Sequence, residues 1–205
     1  KIIEVEADIS SGLPAFNIVG LADTAVQESK ERVRASIKNA GASFPLQRKT
    51  INLAPAQIRK QGSLLDLPIA VSILLASCQI DPQIFNKALV LGELSLNAKL
   101  KRVPGILAIA QHAKSQRFKR LILPQENAAE ASYIKGLEVI AISDLRDIIE
   151  LSKTPKLLSK YKHKYSKRNT KAQKQPHSIT FNHLTGLERE KRALSIVAAG
   201  GHNIL

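Results

Sequence analysis

Apolar and polar positions change period several times along this chain, and the changes divide it into elements. Residues 2–9 alternate, imperfectly, as a strand with one buried face does. Ser10-Ser-Gly-Leu-Pro14 reads as a turn and residues 15–19 as a second strand. The spacing then becomes helical, with Ala22, Val26, Val33 and Ile37 on one stripe. Thr24 and Gln27 have the spacing of a capping box, in which side chains satisfy amides the helix leaves unpaired. Glu28 and Arg32 are placed to pair at i,i+4, and Gly41 sits where a left-handed C-cap belongs.

Further along, residues 50–53 predict a strand closed by Pro55. Residues 64–78 are apolar almost all round, the mark of a buried helix, with Pro68 near the start where a missing amide costs little. Short strands follow at 89–91 and 94–100, the second turning near Asn97-Ala98. Helices are predicted at 104–115 and 128–134, and strands at 121–123 and 139–142. A helix capped by Ser143 spans 144–151. Regular pattern then stops, resumes at Ile179-Thr-Phe181, and leads to a helix opened by Thr185 and Glu188 and closed by Gly200-Gly201. Residues 202–205 read as the start of a strand.

Strands alternating with helices predict an α/β fold over residues 1–151. At 205 residues the chain holds one domain and the beginning of another. With aromatic residues at 4% and no Trp, the core must be aliphatic. The chain has no Met and begins with Lys1, so it reads as a fragment whose true N-terminus lies upstream. Its single cysteine, Cys78, excludes an internal disulfide and a multi-cysteine zinc site, and its apolar neighbours predict a buried, inert thiol. The longest apolar run, 67–78, is too short to cross a bilayer, so no membrane partner and a cytoplasmic location are expected.

The net charge of +14 is unevenly spread. Residues 153–174 carry nine Lys and Arg, and no acid occurs from Leu151 to Leu187. Residues 152–178 therefore read as a basic flexible linker. Lys160, Lys162, Lys164, Lys167, Arg168 and Lys171 are its DNA-binding candidates, because cations there can displace counterions from phosphates. Tyr161 and Tyr165 could add base stacking on single strands. Arg59-Lys60 with Lys99, Lys101 and Arg102 make a possible second basic surface. His112 reads as a surface residue, and His163, His177 and His183 lack a Cys or acidic partner, so no metal site is expected. Asp66 reads as the cap of a backbone turn; Asp23 and Glu28 read as solvated or capping.

Several longer motifs occur in one order: residues 17–34, then Asn52-Leu-Ala-Pro-Ala56, Gly62-Ser-Leu-Leu-Asp-Leu-Pro68, and Gly200-Gly-His-Asn-Ile-Leu205. In these the chain, from about Val5 onward, resembles the N-terminal domain of the magnesium-chelatase-like AAA+ ATPases of the ComM/YifB family. The resemblance implies the fold of the second domain of ribosomal protein S5, shared with the proteolytic domain of Lon and a domain of RadA. It also implies that residues 179–205 begin an AAA+ module and stop before its P-loop.

Lon proteases pair a serine nucleophile with a lysine that removes its proton. Aligned through the buried helix, the serine position falls on Leu64, and Ser63 is one residue off, about 100° away on a helix. Counted back from Pro124-Gln-Glu-Asn127, the lysine position falls on Leu107. Neither leucine can attack or abstract a proton, so no catalytic residue is expected. No Gly-x-x-x-x-Gly-Lys-Ser/Thr run occurs, so no complete nucleotide site is present; Leu184, Gly186 and His202 are at most its periphery. The resemblance thus implies no cofactor in this chain, ATP and Mg in the parent protein, self-association of that parent as a ring, and DNA, single-stranded or branched, as partner. In the ComM branch the motor promotes branch migration during uptake and recombination of transforming DNA. Two other readings stay open: a Ser/Lys peptidase using Ser63 with Lys60 or Lys101, and an interaction and oligomerisation platform without DNA contact.

Overall fold

A computed structural model describes residues 1–163 and 185–201. Two units divide the chain, 1–166 and 167–205. The first opens with β1 (Glu4–Ser10) and β2 (Phe16–Val19), then α1 (Thr24–Asn39). Val26, Val33 and Ile37 are buried as their stripe predicts. The cap, however, is Asp23 rather than Thr24: the Asp23 carboxylate accepts from Val26 N–H at 2.9 Å. Both residues suit that position, and the extended backbone of Asp23 decides between them. Gly41, at φ +80°, takes the expected left-handed position after the helix.

The chain continues into β3 (Arg48–Ala54) and α2 (Asp66–Ala76). β3 lies between β1 and β2, antiparallel to the first and parallel to the second. Gly20 lies against β3 so closely that a Cβ there would sit 2.2 Å from the Leu53 carbonyl oxygen. α2 packs on α1 and β1 and is shorter than its apolar run. Cys78 corrects the expectation of a buried thiol: it is exposed. The Cys78 N–H donates to the Leu75 carbonyl and Gln79 N–H to that of Leu74, a turn that ends the helix and directs Cys78 outward at φ +56°.

A 3-10 turn (Pro82–Phe85) leads to β4 (Ala88–Val90) and to the hairpin of β5 (Glu93–Leu94) and β6 (Leu100–Lys101). There follow α3 (Ile106–Ser115), β7 (Arg120–Pro124), α4 (Gln125–Ala131), β8 (Glu138–Ile142) and α5 (Leu145–Lys153). α4 begins three residues before the predicted start. Its first turn is polar by sequence, but Asn127 is buried there, bonded through both amide atoms to the backbone of Val103 at 2.8 and 2.9 Å. α5 is capped by Asp144, not Ser143. Asp144 accepts from Arg146 N–H, and Asp147 returns the contact to the Asp144 N–H, a reciprocal box.

Structure continues past Leu151, the predicted end of this domain. A 3-10 turn (Pro155–Leu157) and α6 (Leu158–Tyr161) bring in β9 (Lys162–His163), which pairs antiparallel with β8. β4, β7 and β8 are parallel, giving a second sheet in the order β4-β7-β8-β9. Two aliphatic clusters form the core. One joins α1, α2, α5 and the first sheet; the other joins α3, α4 and the second sheet; Leu64 packs against both.

In the second unit the described element is α7 (Glu188–Gly200). Leu187, not Thr185, occupies its N-cap position, without a side-chain cap bond, so the expected capping box is not formed. Gly201 ends it in the left-handed conformation, as predicted. Leu194 and Ile196 are exposed on it.

Candidate functional site

Leu64, which the resemblance sets at the Lon serine position, lies in the loop that delivers the chain to α2. Gly62, at φ +80°, turns the chain, and the loop is stitched to the start of the β5 hairpin. Gly92 N–H donates to the Leu64 carbonyl, and Leu67 N–H to that of Gly92, both at 3.0 Å. Leu64 is half-buried. Leu107, which the resemblance sets at the lysine position, is 45% exposed on the first turn of α3, its N–H donating to Glu130 Oε1 at 3.3 Å. Leu64 also lines a groove of about 950 Å³ between β1, α2, β4 and α3, with Leu65, Val71, Leu75, Ile109 and Phe118. That lining is mostly apolar, with Glu4, Arg59 and Lys60 also bordering it and His112 exposed at its margin.

The alternative pairing of Ser63 with a lysine is not formed. Ser63 Oγ donates to the Glu93 carboxylate. Lys60 is buried and its Nζ donates to the Pro55 carbonyl at 2.6 Å; Lys101 is exposed on β6. Burial of Lys60 also removes it from the proposed second basic surface, and Arg102 there is paired with Glu130 at 3.4 Å.

Beside Ser63, a polar pair runs through the core. Asp66 is fully buried, yet it does more than cap a turn. Arg32 donates to it through Nε at 2.7 Å and Nη2 at 3.0 Å, and Leu94 N–H adds a third bond at 3.2 Å. Burial pushes the Asp66 carboxyl above its ordinary value, and Arg32 and the Leu94 amide work against that push. Arg32 therefore does not take Glu28 as its partner. The sequence signal was an Asp inside an apolar run; its partner, on another helix, had none.

Of the basic-segment candidates, Lys160 is exposed with Nζ 5.4 Å over the Tyr161 ring. Lys162 belongs to β9 and pairs with Glu138 at 2.9 Å, so it is a clasp on the sheet rather than a residue of a free linker. Lys164, Lys167, Arg168 and Lys171 lie outside the described residues, as do Leu184 and His202. Gly186 is at φ +79°, just before α7. Among the described residues, no group of three or more His, Cys, Asp or Glu is placed to hold a metal ion, and no helix is long and apolar enough to cross a membrane.

The family model for subunit ChlI of Mg-chelatase matches residues 5–127, the stretch that holds the first sheet, the α2 loop and the leucines at 64 and 107. The chain belongs to the ChlI family. This ChlI-family chain is 34% identical to competence protein ComM of Haemophilus influenzae, over all of its own length and 40% of that protein. It is 37% identical to YifB of Escherichia coli, over 99% of its length and 39% of that protein. It is also 25% identical to Lon protease 2 of Bacillus subtilis, over 73% of its length and 30% of that protein. The chain thus spans about two fifths of the length of the ComM and YifB proteins it matches.

Proposed function

We propose that this chain is the N-terminal, non-proteolytic Lon-like domain of an AAA+ ATPase, with the fold of the second domain of ribosomal protein S5. The intact protein, in this reading, is an ATP- and Mg-dependent motor that assembles as a ring, works in the cytoplasm and moves on single-stranded or branched DNA. The observation that carries the reading is the match to ComM across the whole chain, combined with leucine at both aligned dyad positions. Likeness to a Lon protease supports shared ancestry of the domain. Chemistry separates them, because an alkyl side chain neither attacks a carbonyl nor accepts a proton. The domain then serves the motor by contact and placement, and the module after Leu205 supplies the phosphate cradle that these residues lack.

Two measurements test this. Incubation with unfolded casein and a serine-reactive fluorophosphonate should give neither cleavage nor labelling; labelling at Ser63 that Ser63→Ala abolishes would overturn the non-proteolytic reading. The longer natural protein should hydrolyse ATP faster when branched DNA is added. If its rate ignores DNA, the motor reading fails. A second reading, a protein-interaction platform, is favoured by the apolar groove beside α2, and it survives if DNA has no effect.

A further inference from the structure

From Pro82 to Gln125 the chain carries eight Lys and Arg against one acid, Glu93. Folding gathers part of this excess at one end of the second sheet, where the parallel strands begin. Lys87 precedes β4, and Lys119 and Arg120 lead into β7. Lys119 N–H donates to the Lys87 carbonyl at 2.8 Å, and Glu138 N–H to that of Lys119 at 3.0 Å, which fixes the three strand starts side by side. A cavity of about 420 Å³ opens there, lined by Gln83, Asn86, Lys87, Lys119 and Arg120. Lys114 lies over Gly136, its Cε 3.6 Å from where a Cβ would stand, next to Lys135; Arg117 lies in the turn between Lys114 and β7.

The charge here is largely uncompensated. Glu138 is shared by Arg120 at 2.8 Å and Lys162 at 2.9 Å, two cations on one carboxylate. Lys87, Lys114, Arg117, Lys119 and Lys135 are exposed, and none forms an ion pair among the described residues. Lys87 and Arg117 also hold left-handed backbone, φ +53° and +63°, which glycine adopts more cheaply than any residue with a side chain. Cations thus stand at two positions where the backbone alone would favour glycine. β9 runs antiparallel to β8 with His163 opposite Val139, so the described chain heads toward this same end as it reaches the basic run.

We infer that this end of the sheet binds the phosphodiester backbone of nucleic acid, with the cavity seating a phosphate. The lysines act as point charges that displace counterions, and the Gln83 and Asn86 amides offer N–H donors to phosphate or sugar oxygens. Such contacts read no bases, so binding is independent of sequence. The inference rests on the reading that the intact protein acts on DNA, and it moves the contact from the basic segment onto the folded domain.

The test uses the 205-residue chain and a fluorescein-labelled 30-nucleotide DNA, single-stranded and as duplex, by anisotropy across a salt series. One variant combines Lys87→Gly, Arg117→Gly and Lys119→Gln; the two glycines relieve left-handed backbone, so its thermal midpoint should not fall. It should bind roughly tenfold or more weakly, with the salt slope reduced by about 2.7 on duplex and about 2.1 on single strands. A second variant changes Lys164, Lys167, Arg168 and Lys171 to Gln and should retain the contribution of the sheet end. If the first variant binds as the natural chain does and the second loses binding, the inference is overturned while the DNA reading stands. If the natural chain binds neither DNA, the inference and any DNA role for this chain fall together. Preference for phosphatidylglycerol vesicles over both DNAs would also overturn it.

Discussion

Arg32 and Asp66 meet across the α1–α2 interface in a two-pronged ion pair, with Nε to Oδ2 at 2.7 Å and Nη2 to Oδ1 at 3.0 Å. Asp66 is fully buried, while Arg32 keeps about a quarter of its side chain exposed. The pair closes on β5 through the Leu94 amide, so three elements share one carboxylate. A hydrophobic replacement of both partners can be neutral in such a place, whereas removal of one leaves a stranded charge.

Arg32→Leu should therefore destabilise the domain by about 3 kcal/mol at neutral pH, read from urea unfolding. The sign of its pH dependence follows from Asp66. Its folded carboxyl already titrates above the ordinary value, and loss of Arg32 raises it further. The protonated form then suits the fold, so the deficit should shrink as pH falls toward about 4 and grow above it. A deficit that does not change with pH would assign the effect to lost packing of the arginine stem.

Tyr161 should titrate late. Burial first, then Asp147 and Glu150, push its hydroxyl up to about 12. The group is raised in the fold, so its stabilising contribution is complete below the ordinary phenol value, about 10, and is lost as pH climbs toward 12. Phenolate absorbance of the natural chain minus that of Tyr161→Phe should show a transition near 12. A transition at the ordinary value would show that the hydroxyl is not held by α5.

The β9 clasp should open in acid before the sheet does. Burial opposes the charge on Glu138, but Lys162 and Arg120 outweigh it and hold the carboxyl below its ordinary value. That contribution is present above the ordinary carboxylate range and disappears as pH falls through the lower folded value. Lys162→Met should mimic the acid state at neutral pH, with faster amide exchange at 162–163 and little change in global midpoint, because exposed pairs contribute about 0–1 kcal/mol. Unchanged exchange in the variant would mean that Leu157, Leu158 and Tyr161 hold the segment without it.

Ser63→Ala should cost about 1.5–3 kcal/mol, the worth of a hydrogen bond to a carboxylate, without altering any peptide hydrolysis. Stability equal to that of the natural chain would mark the Ser63–Glu93 contact as exchangeable with water.

What the sequence made legible was what depends on local period. The stripe of Val26, Val33 and Ile37 and the glycine after α1 announce that helix, and the alternation of residues 2–9 announces β1. Caps were displaced by one residue, at Asp23 and Asp144, because adjacent residues of capping type differ only in backbone conformation. Cys78 was misplaced since its exposure is set by the turn that ends α2, not by its apolar neighbours. β9 has two residues and no period to detect. At the candidate site, the pairing of Arg32 with Asp66 and the gathering of Lys87 with Lys119 depend on tertiary placement, which no local pattern records.

The two-residue clasp of β9 also fixes where tension enters the domain. A pull exerted through the chain beyond His163 is felt first at the Lys162–Glu138 contact and the Tyr161 hydroxyl, ahead of the longer β7–β8 ladder. Yielding there would release the ten residues after α5 as slack, roughly 30 Å when extended. The clasp would thus act as a mechanical fuse: under load it would give up the packing of Leu157, Leu158 and Tyr161 while the fully buried residues of α1, α2 and the two sheets stay in place.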